Sequence, residues 1–253
     1  MKILKFEHYI LTIMLTLVLS SVGQTHEDDA HKSSEGAILK QPQMIDHHAF
    51  SHPFLAHMGM PDAPGEISTR ITSFERRTDG QSTGTYGFHI ESGVFNNLGL
   101  HLRNDGFANH PNSELMLQYA LFKSDSKLSG ISAIAEVEFP TGATKETAKG
   151  MFGISFAYVL IPIVAINSTI HYSPREQMSE WEIAFVTILT EKIFPVFEVN
   201  GEVMKNGQSM TNFLTGIKFK IPNGHALGVA YQVGTTATRD FDSQLLLQAE
   251  LNF

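Results

Sequence analysis

The stretch Gln244-Leu245-Leu246-Leu247-Gln248-Ala249-Glu250-Leu251-Asn252-Phe253 decides the fold. Leu245, Leu247, Ala249, Leu251 and Phe253 fall on one face of an extended strand. Gln248, Glu250 and Asn252 fall on the other. Side chains alternate across a strand with a period of two, so one face is apolar and the other polar. Any half-buried strand alternates in this way, and the stretch gains its meaning from the eleven segments upstream.

A strand of this pattern ending on an aromatic residue resembles the closing strand of a bacterial outer-membrane β-barrel. The resemblance implies that Phe253 belongs to the signal read by the barrel-insertion machinery. The opposite end agrees. Lys2 and Lys5 precede an almost wholly apolar run over 10–22, followed by Gly23. That is the pattern of a secretory signal peptide over 1–23. The run is short for a membrane-spanning helix, and no other long apolar run follows. The chain has no cysteine, so disulfides, thiol catalysis and thiolate metal sites are excluded. Its net charge of -8 argues against nucleic acid as a partner.

From residue 66 onward the pattern predicts twelve strands, over 66–76, 85–93, 98–103, 113–122, 128–139, 151–160, 163–172, 181–190, 193–200, 211–221, 225–233 and 244–253. Most are long enough to cross a bilayer at a tilt. Long and short connections alternate, beginning with a long one over 77–84 and a short one at Asn96-Asn97. A hairpin barrel with both termini in the periplasm needs this alternation, and a soluble sandwich does not. The fold class is therefore all-β: a single transmembrane, antiparallel, up-and-down β-barrel over 66–253, in the outer membrane of a Gram-negative bacterium.

The strand parity sorts residues into two faces. Tyr86, Phe88, Leu115, Leu117, Phe152, Ile154, Leu227 and Val229 are among those predicted to face lipid. Arg70, His89, Glu91, His101, Arg103, Glu114, Glu136, Glu138, Glu182, Glu198, Lys218, Lys220 and Glu250 are predicted to line the lumen. A charge facing lipid at mid-depth costs about 2–4 kcal/mol, so the charges should share the inner face. Seven of these residues are glutamates and four are Arg or Lys, which makes an acidic interior that favours cations or neutral solutes. Phe122, Ile134, Leu214 and the N-terminal segment are candidates to close it.

Residues 24–65 form an irregular extension, polar and interrupted by Pro42, Pro53, Pro61 and Pro64. It holds half of the twelve histidines. His47, His48, His52, His57, Met58 and Met60 could wrap a copper ion, and the imidazoles alone a zinc ion. A flexible His-rich tail also binds such ions weakly, and no resident cofactor is otherwise implied. The segment reads equally as a periplasmic extension or as a plug folded into the barrel. His171 and Ser173 faintly resemble the spacing of the outer-membrane phospholipase family. Strand parity turns His171 into the lumen instead of toward lipid, so no enzyme is expected.

The run His57-Met58-Gly59-Met60-Pro61-Asp62-Ala63-Pro64-Gly65-Glu66 leads directly into an arginine-bearing first strand. With the twelve-strand layout it resembles a transporter-like family of outer-membrane barrels, the phenol-degradation meta-pathway family. The resemblance covers about 58–253. It implies a channel or transporter for a small solute, with outer-membrane lipid as its surroundings. Two alternatives stay open: metal handling through the His/Met-rich segment, and a structural barrel without transport.

Overall fold

Twelve antiparallel strands close on themselves: β1 (Ile67–Thr78), β2 (Gln81–Phe95), β3 (Leu98–Asn104), β4 (Asn112–Lys123), β5 (Gly130–Pro140), β6 (Lys149–Ile161), β7 (Val164–Ser173), β8 (Met178–Thr187), β9 (Ile193–Val203), β10 (Ser209–Lys220), β11 (Ala226–Gly234) and β12 (Ser243–Asn252). This computed structural model describes residues 50–104, 112–124, 128–141 and 147–253. The signal-peptide reading, His47 and His48 lie outside them. Each strand pairs with its sequence neighbours, and β1 pairs with β12 from Ser68↔Asn252 to Arg77↔Ser243. Closure leaves no sheet edge with unpaired backbone groups, as a hydrocarbon environment demands.

The period-two pattern holds through the wall. Outward positions such as Leu115, Leu117 and Tyr119 of β4, Phe152, Ile154, Phe156 and Tyr158 of β6, and Leu245 and Leu247 of β12 are exposed and apolar. Inward positions such as Arg70, Glu91, Gln118, Glu198 and Lys218 are almost wholly buried. An apolar exterior around a polar interior inverts the arrangement of a soluble protein and matches a barrel solvated by lipid. Among the described residues, no helix is long and apolar enough to cross a membrane.

Two expectations need correction. The first connection is not a long loop over 77–84. Strands β1 and β2 continue through it and turn at Asp79-Gly80 alone, with φ of 51° and 77°. An Asp-Gly pair with both φ positive is the tight turn that matches strand twist, so the hairpin extends instead of opening. Phe122 does not close the lumen. A register shift between Ala120 and Phe122 turns Leu121 and Phe122 outward, each 62% exposed. The extra residue of a β-bulge reverses the parity beyond it.

The apolar core sits inside the barrel and not between layers. Phe54 and Leu55, from the segment preceding β1, pack against Phe74, Val186, Phe194, Val196, Leu214, Ala230 and Leu246 of the wall. Met60 packs separately with Ala120 and Ala157. Of the residues expected to close the lumen, Ile134 and Leu214 are buried as expected.

Candidate functional site

Residues 50–65 occupy the lumen as a plug. Pro53, Pro61 and Pro64 deny this stretch a regular ladder, so its backbone groups need other partners. The barrel wall supplies them. The Glu198 carboxylate accepts the consecutive N–H groups of Phe54, Leu55 and Ala56, with Leu55 and Ala56 at 3.0 and 3.1 Å from Oε2. Three successive amides converging on one anion form a nest. His57 N–H donates to Glu182 at 2.9 Å and Gly59 N–H to Asn167 at 3.0 Å. Plug carbonyls are met by donors of the opposite kind. Arg70 and Lys218 donate to Pro53 O at 2.9 and 3.0 Å, Gln248 to Phe54 O, and Gln118 to Met58 O. Ser132 and Ser155 both donate to Gly59 O.

Small wall residues give the plug its seat. A Cβ at Gly228 would lie 2.7 Å from the Phe54 ring, and one at Gly216 would lie 2.6 Å from it. The approach is mutual at Gly59, where a Cβ would meet the Phe156 carbonyl oxygen at 2.1 Å. Pro64 then forms a parallel bridge to Gly93, and Gly65 donates to the Gly93 carbonyl, before the chain enters β1.

The plug separates two cavities. At the end that carries Phe253, a cavity of about 50 Å³ is lined by His52, Ile67, Lys220, Glu250 and Phe253, among others. That is room for only a few waters. At the opposite end, a cavity of about 200 Å³ is bounded by His57 and His171 and by Glu114, Glu136, Glu180, Glu182, Glu202 and Asp240, with Arg103 as the one Lys or Arg in its lining. Arg103 approaches Glu114 at 3.8 Å and Glu182 at 3.9 Å.

Between the cavities lies a histidine cluster. The His57 ring centroid is 5.4 Å from that of His89, 6.0 Å from His101 and 5.8 Å from His171. Glu91 serves the plug-facing side. Its Oε1 pairs with Arg70, lies 3.1 Å from His89 Nε2 and 3.4 Å from His101 Nδ1, and its Oε2 lies 3.4 Å from His52 Nε2. Burial and the nearby positive Arg103 hold the His57 imidazole well below its ordinary pKa, so it is neutral.

His52 differs. Burial alone would neutralise it, but the Glu250 carboxylate at 2.8 Å, with Asp62 and Glu91 beyond, carries its pKa up to about 10. A group raised in the docked state contributes fully below its free value of 6.5, and the contribution is lost as pH rises through about 10. Chymotryptic cleavage at Phe54 should therefore accelerate between pH 7 and pH 10. That acceleration should be absent in His52→Gln, measured against the same enzyme activity control.

The predicted lumen residues separate into three groups. Arg70, His89, Glu91, His101, Glu198, Lys218 and Glu250 are buried against or beside the plug. Arg103, Glu114, Glu136 and Glu182 line the larger cavity. Glu138 pairs with Lys149 at 3.6 Å, and Lys220 borders the smaller cavity. Of the predicted metal-binding set, His52 and His57 are not brought together. Each sits with different wall residues, and no candidate metal group among the described residues contains both. Met58 offers its carbonyl to Gln118, and the Met60 sulfur lies against Ser132. His171 Nδ1 lies 3.3 Å from Glu136 Oε2. His171 and Ser173 are both inward and buried, as lumen parity requires of the former. The convergence of His57 with His89, His101 and His171 was missed. Its signal was the shared inward parity of the three wall histidines.

No protein-family model and no curated relative matches the chain. Solved structures do. A KdgM porin, solved in complex with disordered oligogalacturonate, superposes with a TM-score of 0.56 at 9% identity, covering 74% of this chain and 99% of that one. A NanC porin gives 0.53 at 9% identity, over 73% and 97%. An outer-membrane channel from Pseudomonas putida F1 gives 0.53 at 9% identity, over 77% and 98%. At such identities the likeness is one of fold: this chain shares the twelve-stranded barrel of outer-membrane porins and channels.

Proposed function

We propose that the chain is an outer-membrane channel for a small solute, closed in the described state by its own residues 50–65. One observation carries this reading. The plug meets the wall through hydrogen bonds and ion pairs as well as through the apolar contact of Phe54 and Leu55, as a removable element would. A barrel needing only a filled interior would serve better with an apolar core. Twelve strands also enclose more space than the eight that side chains alone fill. The fold likeness to porins supports the same reading, as does the apolar exterior, which suits the outer membrane of a Gram-negative bacterium. Both termini then lie in the periplasm. Phe253, 71% exposed at the end of the closing strand, is free to meet the insertion machinery.

The acidic outer cavity favours cations or neutral molecules over anions. The KdgM porin's complex with oligogalacturonate, a polyanion, therefore does not extend to this chain. No catalytic role is assigned, since His171 is engaged toward Glu136 and not toward a nucleophile. Planar-bilayer recordings test the proposal. The intact chain should show small or rare openings, and a chain lacking 24–62 should show a stable, cation-preferring conductance. An inserted, folded barrel without 24–62 that passes no current would leave the structural-barrel alternative.

A further inference from the structure

We infer that a divalent transition-metal ion of the zinc class binds at the floor of the outer cavity, held by His57 of the plug, Glu114 of β4 and Glu136 of β5, with His171 of β7 alongside. His57, Glu114 and Glu136 each bring one ligand atom, and these atoms lie within 4.8 Å of one another. Zinc takes imidazole nitrogen and carboxylate oxygen at about 2.0–2.2 Å, so small side-chain rotations close the site.

The second observation is a set of orphaned atoms. His57 Nδ1 and His171 Nε2 are buried and make no hydrogen bond, and Glu136 Oε2 makes none either beyond its approach to His171 Nδ1 at 3.3 Å. Their residues are 4–5% exposed, and all three line the same cavity. A buried polar atom without a partner costs about 1–3 kcal/mol, so two imidazole nitrogens left so beside one carboxylate call for a shared occupant. Charge gives the occupant its sign. Six carboxylates and one arginine border the cavity.

The neighbouring group of His57, His89, Glu91 and His101 has a richer nitrogen set. Its carboxylate is already engaged by Arg70 and faces His52, and Arg70 also reaches His89 Nδ1 at 2.5 Å. Two cations beside one glutamate repel a third, so electrostatics directs the ion to the Glu136 side.

His57 is the plug's donor and the other ligands belong to the wall. The ion therefore pins the plug, whether or not the barrel conducts. Only a docked plug completes the site, so an ion at one hundred times its Kd should suppress undocking by about 100-fold.

The test uses the full chain in detergent with His26, His31, His47 and His48 changed to Gln, which removes competing imidazoles. Zinc is titrated in competition with a chromogenic chelator. One equivalent should bind. His57→Gln and Glu136→Gln should each weaken it beyond the roughly 100-fold ceiling typical of outer-shell partners, while His101→Gln should stay within about threefold. Zinc should also slow maleimide labelling of an Ala56→Cys variant, and the slowing should vanish with Glu136→Gln. Glu136→Gln conserves volume, and a retained β-sheet circular dichroism spectrum certifies the barrel. No stoichiometric binding overturns the proposal. So does binding indifferent to Glu136→Gln, or binding lost in His101→Gln.

Discussion

Replacing Glu198 with alanine is expected to raise the labelling rate of a cysteine at position 56 by about 100-fold. The reporter is clean because the chain contains no other cysteine, and Ala56 is 2% exposed when the plug is seated. Glu198 accepts from Phe54, Leu55 and Ala56 in succession. Its loss strands three buried amides at about 1 kcal/mol each, taking the low end of the range. About 3 kcal/mol is two decades in the docked-to-undocked ratio. Glu198→Gln should fall between. Its one carbonyl oxygen can keep two of the amides, while its NH₂ group opposes the third. The strands pair through their backbones, so circular dichroism should not change. A labelling rate within threefold of the parent would mean that this carboxylate nest does not hold the plug.

The wall was legible in the sequence because a period of two is local. Gln248 and Glu250 could be turned inward, and Leu245 and Leu247 outward, without knowing any neighbour. Boundaries were less legible where a single residue decides geometry. The Ala120/Phe122 bulge reverses parity with no distinctive sequence mark, and Asp79-Gly80 reads equally as a turn or as part of a loop. The plug's seat was not legible at all. Its partners lie 142–144 residues away at Glu198 and 194 away at Gln248, and they bind backbone atoms, which every sequence offers alike. The histidine cluster shows the same limit. The inward parity of His89, His101 and His171 follows from strand pattern. That they meet His57 requires the register of separate strands together with the depth of the plug.

The same dependence on register explains why the lumen is so densely charged yet buried. Arg70, Glu91, Lys218 and Glu250 would each be costly alone in a closed barrel. Neighbouring strands β1 and β2 place Arg70 beside Glu91, β10 and β12 bring Lys218 to Glu250 across the intervening β11, and the plug's Pro53 carbonyl accepts from both cations. The wall's charges are thus completed by the plug as much as the plug is held by them.

Gly228→Leu should expel the plug by sterics alone, and Phe54→Ala should restore its docking. A Cβ at position 228 meets the Phe54 ring at 2.7 and 2.8 Å and Lys218 Cγ at 3.0 Å, with no wall backbone among its nearest contacts. A longer side chain therefore collides with the plug, and the strand pairing of β11 is spared. Overpacking of this kind costs about 1–3 kcal/mol, and more where the ring cannot move aside. Phe54 cannot, since Leu214, Phe194 and Leu246 pack in the same cluster and Lys218 lies over its face at 5.0 Å. Labelling at position 56 should rise by about 10- to 100-fold in Gly228→Leu. Phe54→Ala alone should also loosen the plug, because it forfeits about 3–5 kcal/mol of packing. In the double variant the leucine fills the space the ring has left, so labelling should be slower than in either single variant. That reversal separates a fitted seat from general destabilisation, in which the two costs would add. If the double variant labels as fast as the product of the single effects predicts, Phe54 and Gly228 do not form the seat.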